Sequence, residues 1–239
     1  MNIKEELNNL ETIAKDSWYC RGISRAPTEY CCNIFTRYLI PGSILELGPA
    51  EGVMTDLLDK ITQDLTIVEG AESFYLDLQL RFPKATVVHS LFENFSPNVK
   101  YDNIILGHVL EHVDDPVKII SLASNWLSDR GRILASVPNS QSLHRQAAVI
   151  MGLLSFEEEL NESDLHHGHR RVFNPKTFSE VFHKAGMKID ANGGYWLKPI
   201  SNSQIEANWS QQMLNAFLQL GESYPDIAGE IYIVASNAK

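Results

Sequence analysis

Glu46-Leu47-Gly48-Pro49-Ala50-Glu51-Gly52 is the stretch that decides how this chain folds. It follows the apolar run Ser43-Ile44-Leu45 and precedes helical spacing from Val53 to Ile61, so it reads as the turn between a buried strand and a helix. Gly48 and Gly52 let the backbone turn sharply and approach a ligand without an intervening Cβ. The helix behind them offers unpaired N–H groups suited to a polar ligand. An acid should then end the next strand, where its carboxylate can accept from ribose hydroxyls; Glu69 stands there, after Leu65-Thr66-Ile67-Val68. A dinucleotide dehydrogenase would use a similar turn and acid. Here, however, Gly52 comes one residue early for G-x-G-x-x-G, and Glu46 would be awkward beside a pyrophosphate but useful near a cation.

Outward from this turn, strands alternate with helices. Strands are expected at Thr86 to His89, Tyr101 to Leu106 and Arg132 to Val137, with helices at Ser73 to Phe82 and Asp115 to Leu127. That rhythm is the signature of βαβ units on a mostly parallel sheet. Gln141 to Asn161 reads as a helix that interrupts it, and Pro175 to Ala185 resumes it. Lys188 to Asp190 and Tyr195 to Leu197 are strand material, Gln204 to Leu220 a last helix and Glu230 to Ala235 a closing strand. In front lie two helices, Ile3 to Ala14 and Thr28 to Tyr38, with the large apolar side chains of Trp18 and Tyr19 between them. The expected organisation is one domain over residues 1–239, with residues 1–40 as a helical cap and 141–172 as an insertion over the open end of the site.

The formal net charge of -10 argues against a nucleic-acid partner, which requires a surplus of Lys and Arg on the docking face. His166 to Arg171 is the one candidate for a local basic patch. No stretch approaches the ~20 apolar residues of a membrane span, and the acidic N-terminal residues lack a basic n-region and an apolar h-region. Cys20, Cys31 and Cys32 have no metal-like spacing, and adjacent Cys31 and Cys32 on a helix read as small buried hydrophobes. A cytoplasmic location is expected. The apolar run Ala147 to Leu154 would suit core packing, a homodimer contact or burial of an apolar part of a substrate.

ILELGPAEG from Ile44, the acid in IVEG, the run YDNIILGHVLEHVDDP from Tyr101 and GRILASVPN from Gly131 together resemble the successive motifs of class I S-adenosylmethionine-dependent methyltransferases. The resemblance covers Pro41 to Met187 and is nearest to the group of ubiquinone-type and sugar-modifying O-methyltransferases. It implies an α/β, doubly wound, mostly parallel seven-stranded sheet with a Rossmann-like arrangement and a helical insertion after the fifth strand. It also implies that S-adenosylmethionine is the cofactor and a small molecule the partner. Glu46 would seat the methionine end, lined by Gly48, Ala50 and Gly52; Glu69 and Gly70 would meet the ribose. Ser90, Leu91 and Phe92 fall where the family holds adenine, and His108 lies beside the methionine moiety. Ala50 stands where a middle glycine is usual, and Asp129-Arg130-Gly131 replaces a Pro-Gly-Gly turn.

Two histidine clusters remain. His108, Glu111 and His112 lie three and four residues apart and would share a helical face. They read either as packing at the strand–helix junction or as a functional group: a general base at His112, or a divalent-metal site as in the Glu-x-x-Glu-His run of the ubiquinone-type enzymes. His108 in place of the first Glu makes magnesium less comfortable there. Asp164-Leu165-His166-His167-Gly168-His169-Arg170-Arg171 follows the insertion, either as a solvated loop or as the source of the catalytic base, with His166 and His169 as candidates. Lys198 reads as a solvated surface residue. Methyl transfer to a hydroxyl oxygen is the favoured activity. N-methylation, an NAD-dependent oxidoreductase and a non-catalytic nucleoside-binding module are the alternatives.

Overall fold

Strand β1 (Ile44–Leu47) is buried at all of its positions, because β2 (Leu65–Glu69) and β4 (Tyr101–Gly107) pair with it on both edges, each in parallel. A strand covered on both faces by helices must be apolar on both, which is why Ile44, Leu45 and Leu47 run together. A computed structural model describes residues 3–17 and 22–238; the expectations for Trp18, Tyr19 and Cys20 fall outside the described residues.

The chain runs through α1 (Ile3–Lys15), α2 (Arg25–Thr36), β1, the short α3 (Thr55–Leu58), β2, α4 (Glu72–Arg81), β3 (Thr86–His89), β4, α5 (Pro116–Trp126) and β5 (Leu127–Pro138). It continues through α6 (Leu143–Ile150), α7 (Glu162–His166), α8 (Pro175–Lys184), β6 (Met187–Tyr195), α9 (Asn202–Asn208), α10 (Gln211–Leu220) and β7 (Glu230–Asn237). One seven-stranded sheet results, in the order β3-β2-β1-β4-β5-β7-β6, parallel except for β7, which runs antiparallel to both neighbours. The order reverses between β1 and β4, and the crevice outside their carboxyl ends is where such sheets take ligands.

Period-two alternation sorts the strand residues between two helical layers. Leu45, Ile104, Ile133 and Ile233 pack towards Ile119, Ile120, Phe178 and Phe182 of α5 and α8. Ile44, Ile67, Ile105 and Val234 pack towards Cys31, Ile34 and Phe35 of α2, Leu78 of α4, and Leu214 and Leu218 of α10. Cys31 and Cys32 are accordingly buried free thiols, as their spacing suggested. Among the described residues no helix is long and apolar enough to cross a membrane.

Four segments depart from the sequence expectation. The helix expected over Gln141 to Asn161 ends at Ile150, because Gly152 adopts φ +71 and the chain turns. The two strands expected at 188–190 and 195–197 are one, β6. Gly193 and Gly194 do not break it: a Cβ there would collide with Tyr232 and Pro225, so the glycines admit close packing. The helix expected over Gln204 to Leu220 is two, since the Ser210 hydroxyl caps a fresh start by accepting from Met213 N–H at 3.2 Å. Asp129-Arg130-Gly131 forms no turn ahead of a strand but a bulge inside β5, where the register shifts between Tyr101 and Asn103.

Between β5 and α8 the chain makes an excursion whose neck is closed by Ser140 N–H donating to the Phe173 carbonyl at 2.7 Å. Its centre is polar. Arg145, 4% exposed, donates to the Glu157 carbonyl at 2.7 Å and to Asp164 at 3.0 Å, and also reaches the Glu159 carbonyl. A planar guanidinium with five donors can satisfy several loop carbonyls at once, which an apolar side chain cannot.

Candidate active site

The turn after β1 contains three residues in the left-handed region: Gly48 at φ +62, Ala50 at φ +50 and Gly52 at φ +72. Ala50 is strained there, and its N–H is held by the Glu69 carboxylate at 3.2 Å. A Cβ on Gly48 would meet Phe92 and Val109 at 3.1 and 3.3 Å, so Gly48 keeps the passage beside these side chains clear. Gly52 was expected to face the ligand in the same way, but a Cβ there would point instead at Leu78 of α4, 2.8 Å away, and Phe82. Its lack of a side chain serves helix packing.

Glu46, 2% exposed, accepts from the Thr55 hydroxyl at 2.7 Å. Burial pushes its carboxyl up to about 8, against the effect of that hydrogen bond and with help from the negative charges of Glu69 and Asp56. Glu69 ends β2 at 5% exposure and accepts from Ala71 N–H at 2.8 Å as well as from Ala50. Burial raises its pKa while those backbone donors pull it down. A Cβ on Gly70 would meet Leu10 of α1 and Leu91. Ser90 hydroxyl donates to its neighbour's carbonyl, that of Leu91, at 2.8 Å. Apart from Gly52 and His108, the residues expected to hold a cofactor therefore come together at the carboxyl ends of β1, β2 and β3, with Leu91 and Phe92 half-buried beside them.

Past β4, His108 takes φ +58 and anchors its N–H on the Ser136 carbonyl at 3.0 Å. Its Nε2 lies 3.2 Å from the Tyr195 hydroxyl, and its Nδ1 lies 3.3 Å from Glu111 and 3.8 Å from Glu230. Burial opposes the imidazolium, but the carboxylates of Glu230 and Glu111 outweigh it and raise His108 to about 9. Glu111 is fully buried, and among the described residues neither of its oxygens has an aligned hydrogen bond. Burial opposes its ionisation too, yet the hydrogen-bonding reach of His108 and the charges of the surrounding histidines lower its pKa overall.

The loop after α7 folds back on this turn. Arg170 N–H donates to the Glu111 carbonyl at 2.8 Å, and His169 N–H to the Asp164 carbonyl at 2.9 Å. The rings of His112 and His169 then meet edge to face, 4.7 Å between centroids. Burial holds His112 down to about 4, Glu111 opposing and His169 adding to the effect. Ligand atoms of Glu111, His112 and His169 all lie within 4.8 Å of one another. His166 is positioned differently: its Nε2 approaches the Asp16 carbonyl at 3.4 Å, and its ring meets His167. Of the expected catalytic residues, His112 and His169 are brought together and His166 is not among them.

Arg170 and Arg171, the cations of the expected basic patch, are engaged within the chain. Arg170 pairs with Glu6 at 2.7 Å and with Asp114, and Arg171 donates to the carbonyls of Leu110, Val113 and Asp114. Lys198 is not the solvated residue expected from sequence. It is half-buried, 4.8 Å over the Trp196 ring, and burial lowers it to about 8 against the pull of Glu230 and Asp164. Sequence reasoning missed Tyr195, Glu230 and the Arg145–Asp164 pair. The one available signal was a charged residue, Glu230, directly ahead of the apolar run Ile231 to Ala235.

A family model described as a methyltransferase domain matches residues 23–192 of this chain. A protein of Mycolicibacterium smegmatis, named a probable S-adenosylmethionine-dependent methyltransferase, is 25% identical over 176 residues, covering 72% of this chain and 68% of its own. Among solved structures, the N-methyltransferase NodS from Bradyrhizobium japonicum superposes with a TM-score of 0.63 at 13% identity, over 100% of both chains. The plantazolicin methyltransferase BpumL, crystallised with a desmethyl analogue and S-adenosylhomocysteine, gives 0.61 at 20% identity, over 99% of this chain and 98% of its own. Both likenesses are of fold.

Proposed function

This chain belongs to the methyltransferase-domain family, and from that premise we propose that it transfers a methyl group from S-adenosylmethionine to a hydroxyl oxygen of a small molecule. S-adenosylmethionine supplies a methyl group made electrophilic by its sulfonium. The donor set fits it. Glu46 is a buried acid whose side-chain hydrogen-bond partner among the described residues is a neutral hydroxyl, suited to a cationic end. Glu69 is held in place by backbone donors and can accept from vicinal hydroxyls. Gly48 opens the wall beside Phe92.

The cluster of Glu111, His112 and His169 at the mouth of β4 supports an oxygen acceptor. An amine needs only to arrive unprotonated, whereas a hydroxyl must shed its proton as it attacks. A buried carboxylate with unfilled acceptor oxygens, beside an imidazole held neutral, is suited to that change of charge. Holding acceptor and methyl in line supplies much of the remaining acceleration, up to roughly 7–11 kcal/mol in favourable cases.

The test is product analysis. A panel of hydroxylated sugars, phenols and lipids, with matched amines, is incubated with methyl-labelled cofactor, and the products are assigned by NMR. O-methylated product is expected; exclusive N-methylation of the amines would overturn the hydroxyl reading.

A further inference from the structure

The residues past β4 resemble a metal-binding run, so whether they fit an ion is a question the side chains answer. His108 does not fit. One of its ring nitrogens is at Tyr195 and the other is at the carboxylates of Glu111 and Glu230. His169, from the far side of the excursion, takes the third place instead. We infer that Glu111, His112 and His169 form a binding site for a first-row divalent metal, of the zinc or ferrous class, beside the methyl-transfer centre.

Three observations carry this. The first is spacing: the three ligand atoms lie within 4.8 Å of one another, and bonds of roughly 2.0–2.2 Å to a shared ion would draw them together by modest side-chain movements. The second is Glu111 itself, a fully buried carboxylate neither of whose oxygens has an aligned hydrogen bond among the described residues. A buried carboxylate with acceptor capacity to spare is suited to a cation. The third is the outer layer. Metal-binding histidines characteristically have one ring nitrogen fixed by a carboxylate or a carbonyl, which leaves the other for the ion. His169 Nδ1 lies 3.3 Å from Asp164, which is fixed by Arg145 at 3.0 Å.

Two imidazoles and one carboxylate favour a nitrogen-preferring ion over magnesium or calcium, which take mainly oxygen ligands. Three protein ligands also leave coordination positions open. Bound there, such an ion would favour the ionised form of an acceptor hydroxyl. The site itself does not depend on the acceptor being a hydroxyl.

The experiment uses the full chain, stripped with chelator and dialysed into metal-free buffer. Zinc is titrated by calorimetry, cobalt(II) is followed by its visible absorption, and thermal stability is read with and without each ion. One ion per chain is expected, with a visible cobalt spectrum and a higher melting temperature. His169→Ala and Glu111→Gln should abolish the cobalt spectrum, and Asp164→Asn should weaken affinity roughly 10–100-fold. His183→Ala, an exposed histidine on α8, should bind as the parent does. Should His169→Ala fail to fold, His169→Gln serves in its place, with cofactor binding as the check on integrity. No stoichiometric binding, or binding retained in both ligand variants, would overturn the site. Metal binding together with N-methylated product would support the site and overturn the hydroxyl reading alone.

Discussion

The Glu69 carboxylate accepts a hydrogen bond from the backbone N–H of Ala50 at 3.2 Å, so the acid at the end of β2 also fixes the strained turn after β1. Its second oxygen accepts from Ala71 at 2.8 Å. Charge-assisted bonds of this kind are worth roughly 1.5–3 kcal/mol each. Glu69→Ala should therefore weaken S-adenosylmethionine at least about tenfold and lower the melting temperature, both read by calorimetry. NAD should give the parent protein no thermal protection. Protection by NAD in place of S-adenosylmethionine would restore the oxidoreductase reading.

Gly52 and Gly48 should behave oppositely. A valine at 52 must displace Leu78 and adopt φ +72, so Gly52→Val should cost several kcal/mol of stability, about 1–3 from overpacking and about 1–2 from the left-handed backbone. At Gly48 a side chain meets Phe92 and Val109 near the cofactor, so Gly48→Ala should lose cofactor affinity disproportionately to stability. Ala50→Gly relieves strain at φ +50 and should stabilise the chain by about 1 kcal/mol. Urea denaturation with parallel cofactor titration separates these outcomes.

Glu46 gives a pH dependence of definite sign. Its pKa is raised from 4.5 to about 8 in the fold, so its contribution to stability is complete below 4.5 and is lost as pH rises through about 8. A cationic ligand favours the ionised form. Cofactor affinity should therefore rise with pH from 6 to 8, with proton release on binding, and Glu46→Gln should flatten both profiles. Equal pH dependence in parent and variant would remove Glu46 from the cofactor's cationic end.

What the sequence disclosed follows the range of the interactions. Glu46 to Gly52 and Glu69 sit in one strand–turn–helix–strand unit, so local spacing places them. The repeated unit also implies a mostly parallel sheet, whereas the antiparallel place of β7 between β5 and β6 is set by pairing across the sheet. His169 reaches His112 only because Arg145, buried by loop carbonyls, positions Asp164, and no local pattern marks an arginine as the centre of a fold. Gly193 and Gly194 look like strand breakers until Tyr232 and Pro225 lie against them. Lys198 stands over Trp196, its near neighbour in sequence, but the carboxylates that face it, Glu230 and Asp164, come from distant parts of the chain.

Helix α1 touches both halves of the site. Glu11 accepts from Ser73 N–H at 3.0 Å, and Leu10 fills the space in front of Gly70, beside the residues assigned to ribose and adenine. Ile13 packs on Gly168, and Glu6 receives both bonds from Arg170 Nη2, at 2.9 and 2.7 Å, in the loop that carries His169. Bound cofactor would lie beneath this helix, and its release would require these contacts to part. The Glu6–Arg170 pair is partly exposed, so it is worth about 1 kcal/mol at most, equivalent to about fivefold in a rate or equilibrium constant. Glu6→Gln weakens the pair without touching Asp114, the other partner of Arg170. It should speed cofactor release up to about fivefold in stopped-flow displacement and accelerate amide exchange in α1, with the melting temperature of the cofactor-free protein little changed. Faster exchange in α1 with unchanged release would show that the cofactor leaves by another route.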